Sequence, residues 1–372
     1  MDIFLSLAVA LLAGLFLSRL AKVLSLPAVT AYLVAGVILG PYVLGQLAKV
    51  SAFSWLSHLF FTDAERVGSL HIITEVALGF IAFSIGSEFR WSSLKHTGRQ
   101  AAVVGTVQAV VTTLVVDVAL IVLHFLFPNV ISLSSAIVLG AVAAATAPAT
   151  TMMVVQQYKA KGALTSILLP IVALDDAVGL IVFAISYGVA GALGSGHVDL
   201  ISVLVNPLLE IVCSLILGAV MGFLFTWSEK FFHSRSKRLS ISVAFVLLTV
   251  GFSIITIPVG RAEISFSSLL SCMMLGTVFC NICDFSEELM DRLARWTGPL
   301  YILFFVCSGA SLDLRVFKDI GIVICGFAYV IFRMIGKYFG NYFSAKAMRC
   351  ELNVQKNLGI AMFPQEGVAL GM

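Results

Sequence analysis

Charged residues are what this sequence lacks most. Only 12% of its 372 residues are Asp, Glu, Lys or Arg, whereas 60% are hydrophobic, and the mean hydropathy is +1.04. Soluble domains carry about 25% charged and about 45–50% apolar residues, so a water-soluble globular protein is excluded. A formal net charge of +3 also provides no basic stripe for a nucleic acid and no charge excess of the kind that keeps a chain disordered. The chain must therefore meet lipid over most of its surface.

Signals for a disulfide framework, a metal centre or an active site are missing as well. The seven cysteines are odd in number and lie in or beside apolar runs, which indicates structural thiols. The pair Cys280 and Cys283 has the CxxC spacing, but further ligands for a metal are not evident. The six histidines are scattered, without a nucleophile or a metal-ligand spacing. We therefore expect no enzymatic activity and no cofactor.

Long apolar runs are abundant, and they predict an all-α polytopic membrane protein. A membrane-spanning helix needs about 20 apolar residues, and continuous runs of that length argue against a β-barrel, whose strands alternate. The first run lacks the basic start of a signal peptide and is interpreted as the first helix. The predicted spans are 2–22, 27–45, 69–88, 100–126, 131–155, 163–192, 200–228, 240–258, 264–281, 296–312, 319–345 and 357–372.

The basic residues between these spans predict their orientation. Sixteen Lys and Arg lie in odd-numbered loops and five in even-numbered loops, while Arg333 and Lys337 fall inside a span. Because cytoplasmic loops hold the excess of basic residues, we expect the N-terminus outside and the odd-numbered loops in the cytoplasm. The last apolar run reaches Met372 without a following loop. We therefore expect a thirteenth helix beyond the twelve present.

Two pairs of similar segments indicate an internal repeat. The end of the third span, 83–95, resembles the end of the tenth, 305–318, and segment 33–40 resembles segment 269–276. The two copies lie seven spans apart, an odd number, so they cross the membrane in opposite directions. Inverted repeats of this kind are typical of secondary transporters, whose binding site lies near the midplane.

Matched prolines predict that the fifth and twelfth spans are both broken helices. The fifth contains TAPATT (146–151), in which Pro148 removes a backbone donor and Thr146 and Thr150 supply hydroxyls. The twelfth contains FPQEGVALG (363–371), with Pro364, Gln365 and Glu366. A carbonyl freed in lipid costs several kcal/mol unless protein or water satisfies it. Two facing breaks would therefore form a polar, ion-coordinating centre, whereas a single one would be interpreted as a simple kink.

The strongest signal for a site is the pair Asp175 and Asp176 in the middle of a long apolar helix. A charged Asp at the bilayer centre costs at least ~2.5–3.5 kcal/mol, so two adjacent ones need a reason. Successive helical residues point about 100° apart, so the two carboxylates cannot face the same partner. One can pair with a buried cation while the other faces a cavity.

The cations available for this pairing are Arg333 and Lys337, which share one face of the eleventh span. Lys is the more interesting, because an ammonium can release a proton whereas a guanidinium cannot. Asp117 lies as far before Arg333 as Pro148 lies before Pro364, so the repeat predicts a structural Asp117–Arg333 pair. Glu75 and Glu210 also lie within spans but receive no role.

Together, ATAPATTMMVVQQYKAKG, ALDDAVGLIVF, RMIGKYFG and MFPQEGVALGM strongly resemble the monovalent cation:proton antiporter family, in its second subfamily, the bacterial sodium/proton antiporters. The resemblance covers nearly the whole chain. It implies an inverted-repeat antiporter fold of thirteen helices with two crossed broken helices, and a C-terminus in the cytoplasm of the full-length protein. It also implies a homodimer in the plasma membrane. Gate or dimerisation helices would occupy 1–95 and 233–318, core helices 96–195 and 319–372, and a linker helix 196–232.

The same resemblance assigns roles to the site residues. Asp176 would carry Na⁺ or a proton, Asp175 would pair with Lys337, and Thr146 with nearby backbone would help to bind the ion. Since one carboxylate holds either a proton or a cation, competition at a site exposed alternately to each side is sufficient for antiport. Release of a proton from Lys337 would give two protons per Na⁺. Glu366 and Arg333 depart from the family pattern.

Several alternatives remain open from the sequence. Within the family, the exchanged cation could be Na⁺, Li⁺ or K⁺, and a K⁺/H⁺ antiporter is the main rival. Outside the family, an ion channel gains nothing from a titratable Asp pair beside a buried Lys. A bile-acid-type symporter shares the crossed broken helices, but it needs a larger substrate cavity.

Overall fold

Helices account for nearly all of the chain that the structure describes. The structure is a computed structural model that describes residues 2–24, 26–47, 59–63, 67–68, 70–87, 89–128, 130–195, 206–232, 234–259, 262–283 and 285–365. Within these ranges lie fourteen α-helices: α1 (Asp2–Val23), α2 (Ala28–Leu39), α3 (Leu44–Leu47), α4 (His71–Ser87), α5 (Trp91–Leu126), α6 (Leu133–Val142), α7 (Pro148–Tyr158), α8 (Ala163–Ser195), α9 (Asn206–Glu229), α10 (Arg235–Ser253), α11 (Ser268–Ile282), α12 (Ser286–Ala310), α13 (Ile320–Ala347) and α14 (Leu352–Ala361). The predicted all-α class is confirmed.

Each of the twelve predicted spans overlaps at least one of these helices, but α14, in the twelfth, ends at Ala361 and residues 362–365 are not helical. The number rises to fourteen because 27–45 divides into α2 and α3, and 131–155 divides into α6 and α7. Seven helices in the described part are both long and apolar enough to cross a membrane. Others, such as α4 and α11, are apolar but have only 17 and 15 residues. The exposed apolar side chains of α1, for example Phe4 and Phe16, suit a surface that faces lipid.

Three local features differ from the predicted elements. A short antiparallel hairpin joins α10 to α11, with β1 (Ile257–Val259) paired to β2 (Ala262–Ile264) in a register that places Ile257 opposite Ile264. Helix α5 begins at Trp91 instead of residue 100, because its polar first turns are helical too. Helix α12 likewise begins well before residue 296, in a polar, charged segment. A hydropathy pattern identifies the apolar part of a helix. It does not detect polar turns at the end of the same helix.

Two helix crossings depend on glycine. Helix α2 packs against α12 so closely that a Cβ on Gly309 would overlap the carbonyl group of Leu33. Helix α4 packs against α11 in the same way, and a Cβ on Gly86 would overlap the carbonyl of Met273. Both crossings lie in the segments that the sequence comparison paired as repeats. Small residues allow membrane helices to approach at backbone distance, where van der Waals contact drives their association.

The buried side chains divide into one large and two smaller clusters. The large cluster joins α1, α2, α4 and α9–α12, and receives a few residues from α7 and α8. A second cluster joins α5, α8, α13 and α14 through residues such as Ile171 and Leu358. A third lies among α5, α6 and α13, around Leu120 and Ala136. The two smaller clusters lie among the helices that carry the embedded charges.

Candidate functional site

The fifth predicted span is interrupted where its proline predicts. Helix α6 ends at Val142, α7 begins at Pro148, and the five residues between them are buried and not helical. Proline is favoured at the first position of a helix because its missing N–H would lack an intrahelical partner there. The carbonyl groups at the end of α6 likewise have no partner within the helix. In lipid these carbonyls must find donors on other elements.

A second interrupted segment lies directly beside the first. Helix α14 ends at Ala361, and the chain continues without helical structure through Gln365. The amide N of Ala147 donates to the carbonyl of Pro364 at 3.0 Å. The side-chain Nε2 of Gln365 donates to the carbonyl of Val142 at 2.9 Å. The two breaks are thus held together by hydrogen bonds, while Glu366 lies outside the described residues.

Arg333 of α13 binds the carbonyl groups of both breaks. Its Nε donates to Ala143 at 3.2 Å and its Nη2 to Ala145 at 2.8 Å, both in the first break. Its Nη1 donates to Phe363 at 2.5 Å and its Nη2 also to Pro364 at 3.4 Å, in the second. The side chain is almost wholly buried. A planar guanidinium with five N–H groups suits such a set of acceptors.

The predicted Asp117–Arg333 pair is wrong. The guanidinium is occupied by the carbonyl groups, and the Oδ1 atom of Asp117 is buried with no hydrogen-bond partner among the described residues. Instead, Asp117 packs against Gly140 of α6, where no side chain would fit. Residues at corresponding positions of an inverted repeat are related by symmetry and need not be in contact. The equal separations of Asp117 from Arg333 and of Pro148 from Pro364 therefore did not predict a contact.

Lys337, one turn along α13, joins the first break to the Asp pair. Its Nζ lies 3.0 Å from Oδ2 of Asp175, and both side chains are fully buried. The same Nζ donates to Thr146 Oγ1 at 2.8 Å and to the carbonyl of Ala144. Lys337 thus contacts a carboxylate, a hydroxyl and a backbone carbonyl.

Asp175 receives hydrogen bonds from three elements. In addition to Lys337, Thr146 Oγ1 of the first break donates to Oδ2, and Gln108 Nε2 of α5 donates to Oδ1. Sequence analysis did not single out Gln108, because a lone neutral amide in an apolar run is a weak signal. The structure places it against the carboxylate because α5 packs on α8, where a Cβ on Gly105 would contact Ile171.

The remaining predicted residues differ in how the structure describes them. Asp176 belongs to α8, but its side chain lies outside the described part of the structure. Thr150 is in the first turn of α7, one turn after Thr146. Glu75 accepts a hydrogen bond from Ser268, the first residue of α11, at 3.2 Å, and Glu210 accepts one from Ser265, just before α11, at 3.3 Å.

A fully buried ion pair is weak evidence for stability, because removing two charges from water costs about as much as their attraction returns. Charges inside membrane helices therefore indicate function, usually an ion or proton pathway. Here the charges of α8 and α13 meet beside the point where the break between α6 and α7 contacts the segment after α14, and backbone and hydroxyl oxygens converge there. Carboxylate, hydroxyl and carbonyl oxygens are the ligands of hard cations. The arrangement suits a small cation or a proton.

Comparisons with known proteins agree with this chemistry. The chain is similar to the high-affinity Na⁺/H⁺ antiporter NhaS3 of Synechocystis sp., with 23% identity over 99% of this chain and 81% of that protein. Its fold is similar to that of the sodium proton antiporter MjNhaP1 from Methanocaldococcus jannaschii, with a TM-score of 0.68 and 18% identity over 99% of this chain and 84% of the other. The family model described as "Sodium/hydrogen exchanger, transmembrane" matches residues 7–371. The chain therefore belongs to the sodium/hydrogen exchanger family of membrane transporters, and the prediction that it is not an enzyme is confirmed.

Proposed function

We propose that this membrane protein exchanges Na⁺ for protons at a site formed by Asp175, Asp176 and the first helix break. The observation that carries the proposal is the fully buried contact of 3.0 Å between Lys337 and Asp175 beside the break. A structural pair alone gives little reason to keep two charges in the membrane. A transported cation that competes for the same carboxylates does give one.

Competition at the carboxylates is sufficient to couple the two fluxes. Asp176 binds Na⁺ or a proton, and Thr146 with the backbone of the break replaces part of the hydration shell of the ion. When Na⁺ enters, the ammonium of Lys337 leaves Asp175 and releases its proton. With the proton from Asp176, two protons leave for each Na⁺ bound. The reverse sequence on the other side of the membrane completes an electrogenic cycle.

The division of the buried side chains supports alternating access. The two smaller clusters join α5, α6, α8, α13 and α14, which carry the breaks and the embedded charges. These helices, together with α7, would form the moving core, with α1–α4 and α10–α12 as the gate or dimerisation domain and α9 as the linker. The glycine crossings of α2 with α12 and of α4 with α11 lie at repeat-related segments, as an inverted repeat requires.

The protein would act as a homodimer in the plasma membrane, with its N-terminus outside and the C-terminus of the full-length protein in the cytoplasm. The orientation follows from the excess of basic residues in the odd-numbered loops. In this orientation the hairpin between α10 and α11 lies outside, and the first turn of α10, with Lys237 and Arg238, lies inside.

Transport in proteoliposomes that contain a pH-sensitive dye tests the proposal. We expect Na⁺ and Li⁺ to move protons against an imposed pH gradient, and Asp176→Asn and Asp175→Asn to abolish the signal. Clamping the membrane potential at different values should change the rate if two protons exchange for one Na⁺.

Asp313→Asn is the matched control, because Asp313 pairs with the neighbouring Arg315 at the surface and does not contact the buried pair; it should transport like the wild type. A response to K⁺ with none to Na⁺ would identify a K⁺/H⁺ antiporter instead. No response to any of the three cations, or full activity in Asp176→Asn, would refute the mechanism.

A further inference from the structure

Gln108 lies in the middle of α5 and is fully buried. Helix α13 approaches α5 closely here, since a Cβ on Gly340 would lie only 3.1 Å from the Cα of Gln108. Lys337 is one turn from Gly340 on the same helix. The close crossing therefore brings a neutral amide to the level of the Lys337–Asp175 pair.

The orientation of the Gln108 amide follows from its partners. Nε2 donates to Asp175 Oδ1 and to the carbonyl of Gly105, the latter at 3.0 Å, so both of its hydrogens have acceptors. Oε1 is consequently left buried, without a hydrogen-bond partner among the described residues. An orphaned acceptor is unfavourable, so the two donated bonds must outweigh it. A bond to an ionised carboxylate is strong enough to do so.

The two oxygens of Asp175 are thus divided between different donors. Gln108 takes Oδ1, whereas Thr146 and Lys337 share Oδ2. If Oδ1 were free, the ammonium of Lys337 could engage both oxygens and would bind the carboxylate more strongly. Any cation that has to displace Lys337 from Asp175 would then bind more weakly.

We infer that Gln108 is a positioning residue that restricts Lys337 to one oxygen of Asp175 and so keeps the ion pair weak enough for the transported cation to displace. This inference rests on the proposed function, because it presupposes a cation that competes with Lys337. Gln108, which belongs to α5, would thus affect the cation affinity of a site whose described charges belong to α8 and α13.

Gln108→Met tests the inference, because it retains the side-chain volume and removes both donors. Measured in proteoliposomes at one fixed pH, the KM for Na⁺ should rise about tenfold with little change in the maximal rate. Gln108→Asn, shorter by one methylene, should shift the KM in the same direction. The matched control is Gln100→Met, on the same helix, since Gln100 donates to the carbonyl of Met348 at 3.2 Å and does not contact Asp175.

A second readout does not need transport. In detergent, the Na⁺ concentration that gives half of the Na⁺-dependent rise in melting temperature should also increase about tenfold in Gln108→Met. An unchanged or lower KM in both Gln108 variants would overturn the inference, and so would a loss of maximal rate alone, which indicates packing. A wild-type protein with no response to Na⁺ would instead overturn the proposed function.

Discussion

Among the described residues, Asp175 accepts hydrogen bonds from an ammonium, a hydroxyl and an amide N–H. A carboxylate has two acceptor oxygens, and these three donors share them. Lys337 donates to acceptors on Asp175, Thr146 and Ala144. The two charges and the polar groups around them therefore satisfy each other's hydrogen bonds.

A double-mutant cycle on Asp175 and Lys337 measures this dependence. Asp175→Asn leaves the Lys337 charge buried without its counter-ion, which costs about 3–5 kcal/mol of unfolding free energy. Asp175→Asn with Lys337→Met should recover a large part of that loss, because neither charge is then buried. Thermal or denaturant unfolding in one detergent gives the four values.

The matched comparison is the exposed pair Arg90 and Glu287, which lie 3.1 Å apart. Its cycle should show little coupling, because exposed ion pairs contribute little to stability. Equal coupling energies for the buried and the exposed pair would contradict the assignment of Asp175 and Lys337 as a strongly coupled buried ion pair.

Sequence analysis found the charged residues of the site because charge is rare in apolar runs. It did not find Gln108, whose neutral amide carries no comparable signal, and it gave Arg333 the wrong partner. Hydrogen-bond partners depend on which helices cross and on which residues of each helix lie at the crossing. Neither a motif nor the register of a repeat contains that information.

At the scale of elements, the two breaks are stabilised chiefly by Arg333. Four carbonyl groups from two separate segments accept from one guanidinium, so this side chain acts as a cross-link between the end of α6 and the segment after α14. Its positive charge also lies near the carbonyl ends of these helices, where a cation is favourable.

Replacing Arg333 should therefore loosen the crossing. In Arg333→Gln we expect a lower melting temperature and faster hydrogen exchange at the amide of Ala147, which bonds to Pro364 across the crossing. Arg333→Lys should lie between this variant and the wild type, because it retains the charge but not the fork of donors. Hydrogen exchange followed by mass spectrometry on residues 143–147 measures the change.

Arg315→Gln is the control, because Arg315 is exposed and pairs with Asp313 at the surface. It should leave exchange at residues 143–147 unchanged. Wild-type exchange in Arg333→Gln would show that the remaining bonds, such as that from Gln365 to Val142, hold the breaks together without the guanidinium.

The sequence predicted the elements better than their ends. Every apolar run overlaps a helix, and Pro148 marked the break in 131–155 because proline is favoured at the first position of a helix and has no N–H for a helix interior. The polar first turns of α5 and α12 were missed, since hydropathy reports lipid contact. The strands at 257–259 and 262–264 were missed because they lie at the end of one predicted span and the start of the next.

At the scale of the whole molecule, the orientation in the membrane can be tested by labelling. Lys318→Cys lies between the tenth and eleventh predicted spans and should react with a membrane-impermeant maleimide in intact cells. Lys237→Cys lies between the seventh and eighth and should react only in inverted vesicles. Both positions are exposed in the structure, so access does not depend on unfolding.

The native cysteines interfere little with this experiment. Six of the seven are buried, and Cys213→Ser removes the half-exposed one. The parent protein with Cys213→Ser gives the background. Labelling of Lys237→Cys in intact cells, with none of Lys318→Cys, would reverse the orientation proposed from the basic residues.

The sequence by itself determined that this is a membrane protein, approximately where its helices lie, that 131–155 is interrupted and which charges are embedded. These properties follow from composition and from the chemistry of single residues along the chain. Only the tertiary structure decided that Arg333 binds carbonyl groups and not Asp117, and that Gln108 and Thr146 hold Asp175 with Lys337. The reason is physical: a hydrogen bond requires two atoms within about 3 Å, and for residues far apart in the chain only helix packing sets that distance.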